Sequence, residues 1–584
     1  MEKKLNNLIK ESDFIDKMHE SFVMTNSDTD IIDTGTMENL KKLDELYVDI
    51  NGHLESLVKK SMRSSGVVSG LRGTGKTHLL LLARERINHT SEKNFCFYIN
   101  LKQLNFPENL DLDATNKIFS IKIYEEISKQ LLYHFEQIEY TFFEFLVKRK
   151  GKYKILEAIN FLEQCLFTAS IGNLTINDDQ KMRVEKERTL ENINESIEKM
   201  NMKLSSKNGM SIDAELNEKE ISKDLDRLMT HSDMRRYLDI STFKDNMKEL
   251  LDILGKDRFT FYFDDWEKLR NKDKSLQENL SKFIDTINVN PIFIWIGIVP
   301  GRGDLHSLVQ GSDLPHRIDL DDSLIFEKSS TESKKCQKYF KELVEKRLNY
   351  FVPDKNLKVT DLLTTQNFFL LIHASMGNSR DFLNMLSNSW DGYYSANKAS
   401  RGNTHKKISK DMVISSIENI STQKIENIVN KPEVMDIWND IKKFCLEKEY
   451  SHFAIKTNYE NNILVRHEWF EELIYQRIIH RRRRGMSQKE ASYDDVDIYA
   501  INYSMIYDRV AGRNKKIEFV LDSDIIHNKI RRYIYSPAII FSTIESRRNE
   551  IAKCKHCDKE VNKNDNEYMW KQKKCPSCGS ELDI

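Results

Sequence analysis

No stretch of this sequence has the run of about 18 uninterrupted apolar residues that a helix needs to cross a membrane. The opening residues, MEKKLNNLIKESDFIDKMHES, also lack the apolar core and small-residue cleavage site of a signal peptide. The expectation is a soluble, cytoplasmic protein with no membrane partner. Charge of one sign is missing too: 90 Lys and Arg stand against 91 Asp and Glu. That excludes a global basic field, so any contact with DNA must come from a local patch. Apolar residues are scarce at 39%, while 31% are charged, which points to a helix-rich protein with long solvated faces. The composition stops short of the extreme that prevents folding. Internal repeats and low-complexity tracts are absent. Four of the eight cysteines, Cys96, Cys165, Cys336 and Cys445, are scattered singly and read as small buried apolar side chains.

At 584 residues the chain is too long for one core, and several domains are expected. Residues 1–40 are polar without a clear period and read as an extension. The stretch 37–60 has helical punctuation in two halves. A short apolar strand, SGVVSG (65–70), enters GLRGTGKT (70–77), and a helix leaves it at His78. FCFYINL (95–101), RFTFYFDDWEKL (258–269), PIFIWIGIVPGR (291–302) and HRIDL (316–320) read as further strands, and 121–150 as a helix. Apolar strands alternating with helices imply a parallel α/β sheet covered on both faces. Residues 168–240 are highly charged and look like an insertion. Leu190, Ile193, Ile197, Met200 and Leu204 form a narrow seam there, more in keeping with a surface helix pair than with a coiled coil.

GxxxxGK[ST] between a strand and a helix is a phosphate cradle. Gly70, Gly73, Thr74 and Gly75 let backbone N–H groups turn toward phosphates, and the following helix adds its N-terminal dipole. Lys76 is expected on the β- and γ-phosphates of ATP and Thr77 on Mg²⁺. Asp264 follows the strand 259–263 and is the expected second Mg²⁺ contact. Asp265 is the first choice for positioning or deprotonating the attacking water, and Glu267 the second; the sequence leaves the choice open. Nucleotide binding with hydrolysis, an ATPase activity, is the reading.

The order of this cradle, FYFDDWEKL, IFIWIGIVPGR and HASMGNSRDFLNML resembles the AAA+/STAND group of P-loop ATPases, and within it the origin-recognition, initiator-like members. The resemblance spans roughly 40–535. It implies a helical lid with a sensor-2 arginine, matched by Gly377-Asn378-Ser379-Arg380, which places Arg380 near the γ-phosphate. It also implies a homo-oligomer with nucleotide at subunit interfaces. Arg302 and Arg317 are the candidates for an arginine finger acting on a neighbouring subunit. The strand ending in VPGRGD has no small polar residue for the sensor-1 place. The expected layout is an extension (1–40), an AAA+ core (41–330), a lid (331–425), a winged-helix domain (426–540) and a zinc ribbon (541–584).

In the winged-helix region, 431–450 and 466–485 read as helices and 495–512 as wing and closing helix. The run Arg481, Arg482, Arg483 and Arg484 reads as duplex-DNA contact by a helix or wing, or as a contact with an acidic surface. Cys554, Cys557, Cys575 and Cys578 form C-x₂-C-x₁₇-C-x₂-C, the donor set of a closed, structural tetrahedral Zn²⁺ site. So small a module has too little core to fold without metal. Two functions follow: an ATPase that assembles on or remodels DNA or a nucleoprotein, or a regulatory ATPase that recognises a protein partner. The resemblance links the second to mobile elements and antiviral defence, with a separate effector protein.

Overall fold

The computed structural model describes residues 11–22, 43–104, 112–137, part of 154–162, 240–272, 274–399, 405–487, 494–506, 517–549, 551–563 and 566–582, with positions 8 and 165. Almost all of the charged insertion expected over 168–240, its apolar seam included, lies outside these residues.

The first helix, α1 (Ser12–Phe22), lies where the sequence suggested only an extension. Phe14, Met18 and Phe22, spaced four apart, form one buried stripe. Next come α2 (His53–Ser61), β1 (Gly66–Ser69), α3 (Lys76–Thr90), β2 (Asn94–Asn100), α4 (Leu112–Gln137) and α5 (Ile240–Leu254). Asn51 and Gly52, both at positive φ, separate α2 from the short turn before it. Then β3 (Arg258–Asp264), α6 (Glu267–Lys272), α7 (Lys274–Ile287), β4 (Ile292–Ile298) and β5 (His316–Asp319) complete a five-stranded parallel sheet of order β5-β1-β4-β3-β2.

Both faces of this sheet are covered, which is why its strands are apolar runs rather than alternations. Val67, Phe97, Phe261 and Ile294 point toward Phe119, Met247 and Phe283 of α4, α5 and α7. Their neighbours Val68, Tyr98, Tyr262 and Trp295 point the other way, toward Leu57, Leu79 and Leu80 of α2 and α3. The sheet's carboxyl-terminal edge therefore presents the ends of β1, β3 and β4 together, where ligands of parallel α/β sheets bind.

The lid comprises α8 (Ser330–Phe351), α9 (Thr365–Ser375), α10 (Ser379–Ala399) and α11 (Lys410–Glu426). Here α1 is part of the lid's core: Phe14 and Phe22 meet the buried Trp390 edge-on at 6.3 and 6.1 Å between ring centres.

The winged-helix domain runs α12 (Pro432–Lys448), β6 (His452–Lys456), α13 (Tyr459–Val465), α14 (Glu468–Tyr475), β7 (Ile479–Met486) and β8 (Val496–Ile501). Its strands form an antiparallel sheet of order β6-β8-β7. One expectation is corrected: 466–485 is not a helix. The chain leaves α14 at Tyr475, Arg477 turns with φ 57°, and the arginine run continues as β7. Ile478 and Ile479 are fully buried at the turn, and that burial draws the segment into the sheet. Helix α15 (Ala538–Asn549) leads to a small module built from β9 (Ile551–Lys553), β10 (Glu560–Asn562) and α16 (Glu567–Lys571). No helix among the described residues is long and apolar enough to cross a membrane.

Truncation of a buried aromatic leaves a cavity and costs ~3–5 kcal/mol. Phe14→Ala is expected to destabilise the lid by that order and to expose α1 to protease, measured by chemical denaturation and limited proteolysis.

Candidate functional site: a phosphate cradle closed by the lid

The cradle is suspended between β1 and α3 by hydrogen bonds at its base. Gly70 N–H donates to Ile298 O at 3.1 Å, and Leu71 N–H donates to both carboxylate oxygens of Asp321 at 3.0 Å. Burial pushes the Asp321 carboxyl up to about 6, opposed by the Leu71 N–H. Gly73 and Gly75 take φ of 90° and 89°, conformations that cost a residue with Cβ dearly. The Lys76 ammonium lies inside the loop, donating to Gly70 O at 2.7 Å and Leu71 O at 3.2 Å. Thr74 caps the turn by donating from its hydroxyl to Leu71 O.

Behind the cradle, Thr77 Oγ1 donates to Asp264 Oδ2 at 2.5 Å, and Tyr98 Oη donates to the same oxygen at 3.0 Å. Burial, then the adjacent Asp265 charge, pushes the Asp264 carboxyl up to about 6, while the Thr77 bond works the other way. The hydroxyl and carboxylate wanted by an octahedral Mg²⁺ are thus already side by side. Asp265 is half-buried with φ 58°, its N–H donating to Asp264 Oδ1. Glu267, in the first turn of α6, is 1% exposed, and its Oε2 has no hydrogen-bond partner among the described residues. Burial pushes its pKa above the ordinary carboxyl value, and the Lys76 charge opposes that.

The lid closes on the cradle through Gly377-Asn378-Ser379-Arg380. Asn378 Nδ2 donates to Arg72 O at 2.9 Å, and Arg380 N–H donates to Gly73 O at 3.3 Å. Asn378 Oδ1 also accepts from Asp381 N–H at the start of α10. A Cβ on Gly73 would lie 2.4 Å from the Arg380 Cβ, so glycine is required for this approach. Gly377 is equally confined, 2.4 Å from Leu324 O by the same construction.

Next to Arg380, Asp381 is buried between Arg477 Nη2 and Lys424 Nζ, each at 2.9 Å. Burial disfavours the Asp381 charge, yet the two cations hold its carboxyl well below the usual range. The winged helix is thereby fastened to the lid. Its helix α14 rests on the cradle itself: Ile474 and Tyr475 pack on Leu71 and Val299, and Arg72 Nη1 donates to Tyr475 Oη at 3.4 Å.

Both arginine-finger candidates are engaged within their own chain. Arg302 pairs with the buried Glu472 and lies 4.2 Å from the Tyr475 ring centre. Arg317 donates to Ser69 Oγ at 2.8 Å and Asp319 Oδ2 at 2.9 Å. The arginine run also turns partly inward, which corrects its reading as one DNA-facing patch. Arg482 is buried and is held by both carboxylate oxygens of Glu327 and by Met376 O, which takes it away from the surface. Arg483 donates to Lys328 O and Arg484 to Asp319 Oδ2, while Arg481 stands 3.8 Å from Asp497. Arg481 and Arg484 keep exposed side chains.

Tyr98, Asp321, Tyr475 and the Arg72 side chain were not singled out from sequence. Each is one polar residue beside a strand or helix end, and no spacing marks it.

The four thiols of Cys554, Cys557, Cys575 and Cys578 lie within 4.8 Å of one another. Cys554 Sγ to Cys578 Sγ is 3.5 Å and Cys557 Sγ to Cys575 Sγ is 3.7 Å. A tetrahedral ion with Zn–S of ~2.3 Å needs sulfurs about 3.8 Å apart, so the donor set fits Zn²⁺. The two knuckles are built alike: Cys554 N–H donates to Lys559 O, and Cys575 N–H to Ser580 O.

Two outcomes test this construction. Gly73→Ala is expected to raise the dissociation constant of a non-hydrolysable ATP analogue at least tenfold by forcing the lid off the cradle, read by calorimetry. Chelation, or Cys575→Ser, is expected to release bound zinc and open 551–582 to protease while the melting of the sheet domain stays unchanged.

Comparison with known proteins found no matching family model and no matching curated protein. Among solved structures, the Aeropyrum pernix ORC1 protein, determined in complex with DNA, is similar at 12% identity, with 80% of this chain and 92% of that chain covered and a TM-score of 0.30. A Walker-type ATPase of Pyrococcus abyssi is similar at 12% identity, covering 79% and 94%, with a TM-score of 0.36. At these values the likeness carries no argument, and the five-stranded parallel sheet with its glycine-rich loop, the lid and the winged helix rest on their own geometry.

Proposed function

We propose that the chain is an ATP-hydrolysing AAA+ switch that assembles on or remodels DNA or a nucleoprotein. The observation that carries the ATPase part is the ready-made contact of Thr77 with Asp264 beneath a cradle that the lid touches through Arg380. Lys76 would exchange its two carbonyl partners for phosphate oxygens. Thr77 and Asp264 would hold Mg²⁺, which neutralises phosphate charge when bound. Tyr98 keeps the Asp264 carboxylate aimed at Thr77. Glu267 is the better-placed base: it is buried, has an unused oxygen, and takes a proton more readily than an ordinary carboxylate. Arg380 approaches from the lid, so closure depends on what the cradle holds.

Arg481 and Arg484 are the members of the arginine run available to DNA phosphates. An oligomer that used Arg302 or Arg317 as a finger in trans would first have to break their pairs with Glu472 and Asp319. A second reading, recognition of a protein partner, is favoured by α14. In helix-turn-helix geometry the second helix enters the major groove. Here that helix exposes Glu468 and is packed on the cradle through Tyr475 and on Arg302 through Glu472, which does not suit entry into a groove.

Hydrolysis of ATP by the wild type and by Lys76→Ala, with and without duplex DNA, tests both readings. The expected result is loss of activity in Lys76→Ala and stimulation of the wild type by DNA, weakened in Arg481→Ala/Arg484→Ala and by added salt. Equal rates in wild type and Lys76→Ala would overturn the ATPase reading. A wild-type rate indifferent to DNA at moderate salt would select the protein-partner reading.

A further inference from the structure

Several arginines close around the cradle, and one is unlike the rest. Arg302, Arg317, Arg477 and Arg482 each pair with a carboxylate. Arg72, inside the cradle, makes one side-chain hydrogen bond among the described residues, to the neutral hydroxyl of Tyr475. Its guanidinium carbon lies 5.8 Å from the Tyr475 ring centre. The lid grips the backbone at and just after it, through Asn378 at Arg72 O and Arg380 at Gly73 O. The backbone is therefore fixed while the charged end is held by one long, uncharged bond.

The direction of that side chain matters. Burial, and after it the Arg72 charge, lowers the proton affinity of the Lys268 ammonium. Lys268 follows Glu267 in α6, so the Arg72 charge is felt on the side of that helix's first turn. That is the side on which the γ-phosphate and the attacking water are required. An arginine beside the cradle that pairs with no carboxylate among the described residues matches a site that receives a polyanion.

We propose that Arg72 is a catalytic arginine supplied in cis by the cradle, and that Tyr475 of the winged helix keeps it in reserve while that domain is docked. The proposal rests on the ATPase reading. In the step it serves, the water oxygen forms a bond to the γ-phosphorus as the bond to the β–γ bridging oxygen breaks. The bridging electron pair stays with ADP, and the water proton passes to Glu267 and then to the phosphate product. Arg72 transfers no proton; it donates N–H groups to the oxygens on which charge grows. Arginines in this role contribute ~10³–10⁵ in rate. Release of the winged helix would free Arg72, so what that domain binds would set the hydrolysis rate.

Steady-state hydrolysis by the full chain tests the idea in wild type, Arg72→Ala, Arg72→Lys, Tyr475→Phe and Tyr475→Phe/Arg72→Ala. Arg72→Ala is expected to lower kcat by ~10³ with little change in KM, and Arg72→Lys to restore only part of it. ADP affinity should stay that of the wild type in both, because ADP has no γ-phosphate; this also shows that the variants fold. Tyr475→Phe, which keeps the ring on Leu71 and Val299, should raise kcat several-fold, and that gain should vanish in the double variant. A kcat within twofold of wild type in Arg72→Ala would overturn the proposal. So would a Tyr475→Phe gain that persists without Arg72. A wild-type rate no higher than that of Lys76→Ala would instead sink the ATPase reading, and this inference with it.

Discussion

The Asp381 carboxylate is the constraint on which the arrangement of this molecule depends. It is buried between a lysine of the lid and an arginine at the entry to the winged-helix sheet. The three charges are tolerable only together, since removing Asp381 would leave Arg477 and the buried Lys424 as cations without a counter-ion, at a cost of ~3–5 kcal/mol. The same residue adjoins Arg380, whose backbone touches the cradle. Lid, cradle and winged helix therefore share one short stretch of chain, and a shift at Gly73 is felt at Arg477 within a few bonds.

The cradle shows the complementary situation. Lys76, Lys268 and Arg72 bring positive charge near the carboxylates of Asp264, Asp265 and Glu267. Burial raises the cost of ionising Asp264 and Glu267, and only the nearby cations and hydrogen bonds offset it. A divalent ion and a polyphosphate would satisfy both sets of charges at once. The polar groups are pre-arranged for that occupant: Thr77 and Tyr98 already orient Asp264, and Lys76 is parked on two carbonyls it can leave at little cost.

The winged helix is where charge pattern and structure part company. Four consecutive arginines suggested an open basic face. In the sheet, alternation sends Arg482 inward to Glu327 and leaves its neighbours nearer the surface. Successive residues of a strand face opposite sides, so a run of like charge cannot form one patch there. The helix that a helix-turn-helix would place in a groove is instead acidic and packed on the five-stranded sheet domain through Tyr475 and Glu472. In this conformation the domain faces its own chain.

The sequence alone determined the elements whose local chemistry is self-sufficient. GLRGTGKT needs its glycines because backbone must approach phosphate, and FTFYFD is apolar because a parallel strand is buried on both faces. Two CxxC pairs mark a metal site because four thiolates fill a tetrahedron. Arg380 was placed at the cradle by the resemblance alone, through Gly377-Asn378-Ser379-Arg380. Tertiary structure decided everything that depends on what lies opposite. It made Phe14, Met18 and Phe22 a lid helix, because their partner Trp390 is far away in the chain. It set Glu267 in a buried corner, assigned Arg302 and Arg317 to partners of their own chain, and placed Tyr475 against Arg72. Those outcomes are set by packing and by pairing of buried charge across domains; the spacing of Phe14, Met18 and Phe22 marks a helix face, but no spacing names the partner on which a face or a charge comes to rest.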